Sequence, residues 1–156
     1  MDLIIKKIID KKEKEIISKE VLYDLPEWFG LPESTEEYIK DSQDKPFLAC
    51  YSDNEVAGFI VLNATSKDTA DIFVMGIKKK FHRMGIGTKL NTEFENMAKN
   101  LGYSYSQVKT VKMGHYKEYD ITNEFYIAMG YKELECFPTL WDEWNPCQIY
   151  IKYLGK

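Results

Sequence analysis

The stretch IFVMGIKKKFHRMGIGTKLNTEF, residues 72–94, constrains the fold more than any other. An apolar run suited to a buried strand ends at Gly76 and Ile77. A basic stretch follows: Lys78, Lys79, Lys80, His82 and Arg83. Gly85 and Gly87 then flank Ile86, and Ile86, Leu90, Phe94, Met97 and Leu101 recur at helical spacing. A further strand-like run, YSYSQVKTV, comes after Gly102. Strand, helix and strand in that order predict a parallel crossover, which belongs to an α/β chain.

The other elements agree. DLIIKKIID reads as a first strand and KKEKEIISKEVL as a charged helix with a thin apolar stripe. Pro26, Gly30 and Pro32 break the chain into a loop. Ser34 and Glu37 are spaced as a capping box for a short second helix. PFLACYSDNEVAGFIVLNA reads as two strands joined by a turn at Ser52, Asp53 and Asn54, and TADIFVMGI as a third. Near the end, ITNEFYIAMG predicts a short helix stopped by Gly130. YKELECF and NPCQIYIKYL predict two closing strands. In the last, Cys147, Ile149, Ile151 and Tyr153 share one face, and Gln148, Tyr150 and Lys152 the other. The expectation is one domain over residues 1–156, a mixed β-sheet flanked by helices.

Size and charge narrow the function. A chain of 156 residues is long enough for one good core, and 44% hydrophobic with 29% charged residues is an ordinary soluble composition. No apolar run approaches the ~20 residues of a membrane span, and charge interrupts the N-terminal apolar runs, so no signal peptide and a cytoplasmic location are expected. A net charge of −4 argues against nucleic acid as partner. Cys50, Cys136 and Cys147 lack a C-x-x-C spacing and their odd number suits reduced thiols. No His/Cys cluster is spaced for a metal. Cys147, on the apolar face of the last strand with no nearby His, reads as a structural thiol.

A basic loop running into a glycine-flanked helix start suits phosphate. Amides of a first helical turn are unsatisfied, the helix dipole adds partial positive charge, and glycine permits close approach. Two designs fail: GIGTK lacks the first glycine of a P-loop, and Leu90 stands where a dinucleotide fingerprint needs its third glycine. HRMGIG resembles the pyrophosphate loop of the GNAT N-acetyltransferases, whose pattern is Gln or Arg, two residues, Gly, one residue, Gly or Ala. His82 stands in place of the Gln or Arg. NEFYIAMGY resembles the late motif of the same family. The element order also fits, so the resemblance spans nearly the whole chain.

The resemblance implies an acyl-CoA transferase fold and direct transfer of acetyl from acetyl-CoA to an amine, without metal. It implies that the strand end, with Met75 and Ile77, meets the thioester and pantetheine arm. His82, Arg83, Met84, Gly85, Ile86, Gly87 and Thr88 would hold the pyrophosphate, and Lys78, Lys79 and Lys80 stand within reach of phosphates. Tyr126 matches the tyrosine that protonates the departing thiolate, as a phenol of pKa near ~10 can do. The base is open among Glu27, His115, Asp120 and Asp142, with Glu27 carried forward. Trp28 and Phe29, and Trp141 and Asp142 with Trp144 and Glu143, fall in two loops that border the family's acceptor site. Rings beside carboxylates suit a cation, so the acceptor is expected to be a cationic small molecule or peptide amine. Oligomeric state is open, a homodimer included. The competing expectation is a catalytically inactive CoA-binding or protein-interaction module on the same fold.

Overall fold

The computed structural model describes residues 2–155. The elements are β1 (Leu3–Ile8), α1 (Lys11–Leu22), α2 (Pro32–Ser42), β2 (Phe47–Ser52), β3 (Glu55–Ala64), β4 (Thr69–Ile77), α3 (Ile86–Asn100), β5 (Tyr105–Val111), α4 (Lys117–Ala128), β6 (Lys132–Phe137) and β7 (Cys147–Tyr153). The chain is α/β, as the alternation of apolar periods predicts. Its contacts divide it into two units, residues 2–63 with 72–97, and residues 64–71 with 98–155.

In the first unit β1, β2 and β3 form an antiparallel meander. The β2–β3 turn places Asp53 and Asn54 at φ 48° and 73°. Two positive φ values in a two-residue loop are the type I′ geometry that fits strand twist, and Asp and Asn tolerate it better than other side chains. Ile17, Val21, Leu22 and Leu25 of α1 and the turn after it bury against Phe47, Ala49, Phe59, Val61 and Val74 of the strands. Helix and strands approach closely because β4 carries a glycine there. A Cβ on Gly76 would stand 3.0 Å from Val21 Cγ1 and 3.2 Å from Leu25 Cδ1. The end of α1 is thus seated directly on the end of β4, which decides what the residues after each of them can touch.

Two helix starts differ from the sequence expectation. Helix α2 begins at Pro32 with Leu31 as its N-cap, so Ser34 lies inside the first turn and the capping box does not form. Proline at the first helical position has the right φ already and loses no needed donor, which outweighs a serine cap two residues later. Helix α4 begins at Lys117, earlier than Ile121, with Glu118 and Asp120 in its first turn where carboxylates favour a helix start.

In the second unit β7 pairs antiparallel with β5 and with β6. Cys147, Gln148, Ile149 and Tyr150 are all buried, so neither side of β7 is wet at that end. The polar side chains there have internal partners: Gln148 Nε2 donates to Glu135 O at 3.2 Å, and Tyr150 Oη donates to Asn123 Oδ1 at 2.6 Å. Gly130, at φ 95°, ends α4 as expected. No helix of the described residues is long and apolar enough to cross a membrane.

Candidate active site

The glycine loop, expected from the sequence to hold a pyrophosphate, leads directly into α3. Ile86 is buried and ties the first turn of α3 into the core, while Met84 and Gly85 before it are exposed. Gly85 takes φ 77°, and nothing lies within 4 Å of where its Cβ would be. The space beside the backbone is therefore open, and only a glycine leaves it so at this φ without strain. Arg83 is also left-handed, at φ 64°. No Asp or Glu stands in the first turn of α3, so the helix dipole and the first-turn amides are uncompensated by an acid of that turn.

The residues before the loop are arranged differently from the expectation. Lys78, Lys79 and Lys80 do not form a bare basic patch. Lys78 Nζ pairs with Glu20 and lies 3.6 Å from Glu55 Oε2, Lys79 Nζ is 2.6 Å from Glu27, and Lys80 Nζ is 2.5 Å from Glu55. The three lysines line a groove of about 420 Å³ with Glu20, Asp24 and Glu55. The cause is the seating of α1 and β3 against β4, which brings their acids to the strand's end. His82 turns back on the strand: its Nε2 lies 2.7 Å from Ile77 O, so that nitrogen carries the proton. Ile77 O, one of the backbone groups expected to face the pantetheine arm, thus already accepts one bond.

Glu27 is set by the same pairing. The hydrogen bond from Lys79 holds its carboxyl below the usual range, so it is ionised at neutral pH and a weak proton acceptor. Trp28 and Phe29, expected along the acceptor site, are half-buried and pack against the core of the first unit. Trp28 meets the His82 ring edge-on at 5.9 Å.

In the second unit Tyr126 is buried among rings, with Phe125, Tyr131 and Tyr150 at centroid distances of 5.2, 5.6 and 6.5 Å. Burial, and next the charge of Asp71, push its phenol far above the ordinary tyrosine range, so it holds its proton at any physiological pH. Asp71 was not singled out by the sequence. It is buried, accepts from Gln107 Nε2 at 3.1 Å, and stands 3.6 Å from Lys109 Nζ. Burial raises its carboxyl, against the opposing pull of Lys109 and Gln107. The only sequence signal was an acid within an apolar strand, TADIFVMGI, which is where a charge is least expected without a task.

The other candidates have local duties. Asp120 Oδ1 accepts from Gly114 N at 2.7 Å, and His115 is exposed. Asp142 organises its own loop, accepting from Trp144 N at 2.9 Å, Asn145 N at 2.8 Å and Asn145 Nδ2 at 2.9 Å, and these bonds lower its carboxyl. Trp141 and Trp144 beside it are exposed. Cys147 is buried, and its thiol is pushed up to about 11, which suits the structural role. Among the described residues no group of three or more His, Cys, Asp or Glu could hold a metal ion.

Residues 15–131 match the model of the acetyltransferase (GNAT) family. Solved structures of similar fold include a GNAT-family protein from Desulfovibrio desulfuricans, with TM-score 0.83 and 14% identity over 99% of this chain and 100% of that one. An aminoglycoside 6'-N-acetyltransferase from Enterococcus faecium has TM-score 0.75 and 16% identity over 98% of each chain. A GNAT acetyltransferase from Elizabethkingia anophelis with acetyl-CoA bound has TM-score 0.73 and 16% identity over 97% of each. No curated protein sequence matches significantly.

Proposed function

The chain belongs to the GNAT acetyltransferase family, and from that premise we propose that it acts, as one domain over residues 1–156, to transfer acetyl from acetyl-CoA directly to an amine. The observation that carries the reading is the open, left-handed Gly85 at the start of α3. The amides of residues 83–88 would hold the diphosphate there, since a Cβ at Gly85 would fill the space that a bulky anion needs. Met75 and Ile77 would offer backbone groups to the arm of the cosubstrate. When bound, acetyl-CoA supplies the activated acyl group, and the protein supplies placement and proton transfer.

Two protons must move. The acceptor amine loses one as its new bond to the acetyl carbon forms, and the departing thiolate gains one. We assign the first to Asp71 in preference to Glu27. Burial raises the Asp71 carboxyl even with Lys109 3.6 Å away, whereas the bond from Lys79 lowers that of Glu27, and a base works best when its pKa approaches the working pH. Tyr126 gives the second. The two are electrostatically linked, because a proton arriving on Asp71 removes the charge that helps to raise the Tyr126 phenol. Tyr126 therefore becomes a better acid once Asp71 has acted as a base.

The acceptor is read as cationic. Support comes from exposed Trp141 and Trp144 beside Asp142 and Glu143, and from an aminoglycoside acetyltransferase among the similar structures. The test is thiol release from acetyl-CoA over a panel of cationic, neutral and anionic amines. Release with cationic amines alone is the expected result. Release with none, in a protein that binds CoA, leaves a binding module and removes the enzyme reading.

A further inference from the structure

One short segment after α1 makes three contacts with the turn that leads into the glycine loop. Asp24 Oδ2 accepts from Lys79 N at 2.7 Å, Glu27 Oε2 accepts from Lys79 Nζ at 2.6 Å, and the Trp28 ring meets the His82 ring edge-on at 5.9 Å. His82 in turn donates from Nε2 to Ile77 O at 2.7 Å. Lys79 and His82 are thus both held, one by two carboxylates and the other between a ring and the strand end.

The turn needs such support. Lys79–Phe81 is a single 3-10 turn, closed by Phe81 N to Lys78 O at 2.9 Å and His82 N to Lys79 O at 3.1 Å. Hydrogen-bond geometry is poor in such turns, and they are easily remodelled. Directly after it Arg83 takes a left-handed conformation that costs a non-glycine residue about 1 kcal/mol or more. A strained, exposed backbone keeps that shape only if its surroundings over-determine it. An exposed ion pair alone contributes little, ~0–1 kcal/mol. Here it is joined by a carboxylate bond to a backbone amide and by ring packing. All three come from one segment, which the Gly76 contact with α1 has already fixed in place.

We propose that the segment from Asp24 to Trp28 is a strut that sets the turn before the glycine loop, so that Asp24, Glu27 and Trp28 are positioning residues for acetyl-CoA. The proposal rests on the reading that the amides after the turn hold the diphosphate. It moves Glu27 and Trp28 from the acceptor's account to that of the cosubstrate. It also makes Lys79 a strut member and not a phosphate ligand.

Charge reversal separates these roles. Wild type, Glu27→Lys, Lys79→Glu and the double variant are titrated with CoA by calorimetry, and amide hydrogen exchange of residues 78–88 is followed in the CoA-free proteins. Each single variant should lose about fivefold to twentyfold in CoA affinity, the equivalent of part of one charge-assisted hydrogen bond. Each should also exchange faster over 78–88 and leave the acceptor KM unchanged. The double variant should return to within about twofold of wild type, because its ion pair is restored with the sign reversed. A double variant no better than Lys79→Glu overturns the strut, since Lys79 then touches CoA itself. Single variants that bind CoA and exchange like wild type overturn it too. Wild-type protein that takes up no CoA overturns the acetyl-CoA reading instead, while the exchange rates still report on the turn.

Discussion

Replacing Gly85 gives the sharpest test of the loop, because the structure separates its effect on folding from its effect on binding. Gly85 sits at φ 77° with nothing within 4 Å of the Cβ position. A Cβ there has no atom within 4 Å beyond its chain neighbours and the nearby helix backbone, so the cost to the fold is mainly the left-handed backbone, about 1–2 kcal/mol and more for a β-branched side chain. Against a typical domain stability of roughly 5–15 kcal/mol, the protein stays folded. Binding is affected differently. The new side chain stands in the open space beside the amides, so a diphosphate loses one charge-assisted N–H···O bond or more. At about 1.5–3 kcal/mol for each, CoA affinity should fall by roughly tenfold to a hundredfold. Gly85→Ala should lie between wild type and Gly85→Val. Calorimetry with CoA, beside a thermal melt of each variant, reads both quantities. A folded Gly85→Val protein that binds CoA as tightly as wild type refutes the placement of the diphosphate on this loop.

Tyr126→Phe should keep CoA affinity and lose turnover by ~10²- to 10⁴-fold, the usual effect of a lost general acid, and unchanged kcat would assign that proton to water. Asp71→Asn should lower turnover on a similar scale and abolish the acid limb of the kcat/KM profile. Because the folded carboxyl is raised, that limb should lie above the ordinary carboxylate range, with activity rising as Asp71 ionises. The stability effect has the opposite sign. Ionised Asp71 costs stability above its folded pKa, and the cost disappears as pH falls towards the unfolded value. Asp71→Asn should therefore melt no lower than wild type at pH 7, and a large drop in Tm would show that the carboxylate serves the fold instead. Under mild alkylation Cys136, only partly buried, should react well before Cys147, whose thiol is pushed up to about 11. Labelling of Cys147 first, read by peptide mass, would contradict its burial.

How much of this was legible depends on the range of the interactions involved. Helix α1 occupies the stretch its periodicity marks, and the β2–β3 turn, the start of α3 at the glycine loop and the Gly130 stop lie where neighbouring residues put them. Each of these follows from propensity or backbone φ within a few residues. The same holds for the open Gly85, since a glycine before an apolar helical repeat is a local fact. Even locally, competing signals misled: Pro32 overrode the Ser34 box, and both stand in the same turn.

The charges were not legible. Lys78, Lys79 and Lys80 read alone as a phosphate patch, yet Glu20, Glu27 and Asp24 meet them from 58, 52 and 55 positions away. Nothing in the run itself names those partners. Only the close approach of α1 to Gly76 creates the pairing, and with it the low carboxyl of Glu27. Asp71 is the converse case. Its residue type was visible, but its burial, its partners Gln107 and Lys109 and its effect on Tyr126 depend on elements 36 to 55 positions later in the chain, since positions 71, 107, 109 and 126 are so spaced. Backbone shape is set largely by neighbours in sequence. Desolvation and charge pairing are set by neighbours in space, so the chain alone determined the glycine-flanked start of α3, and the tertiary structure decided that the Glu27 carboxyl is lowered and the Asp71 carboxyl raised.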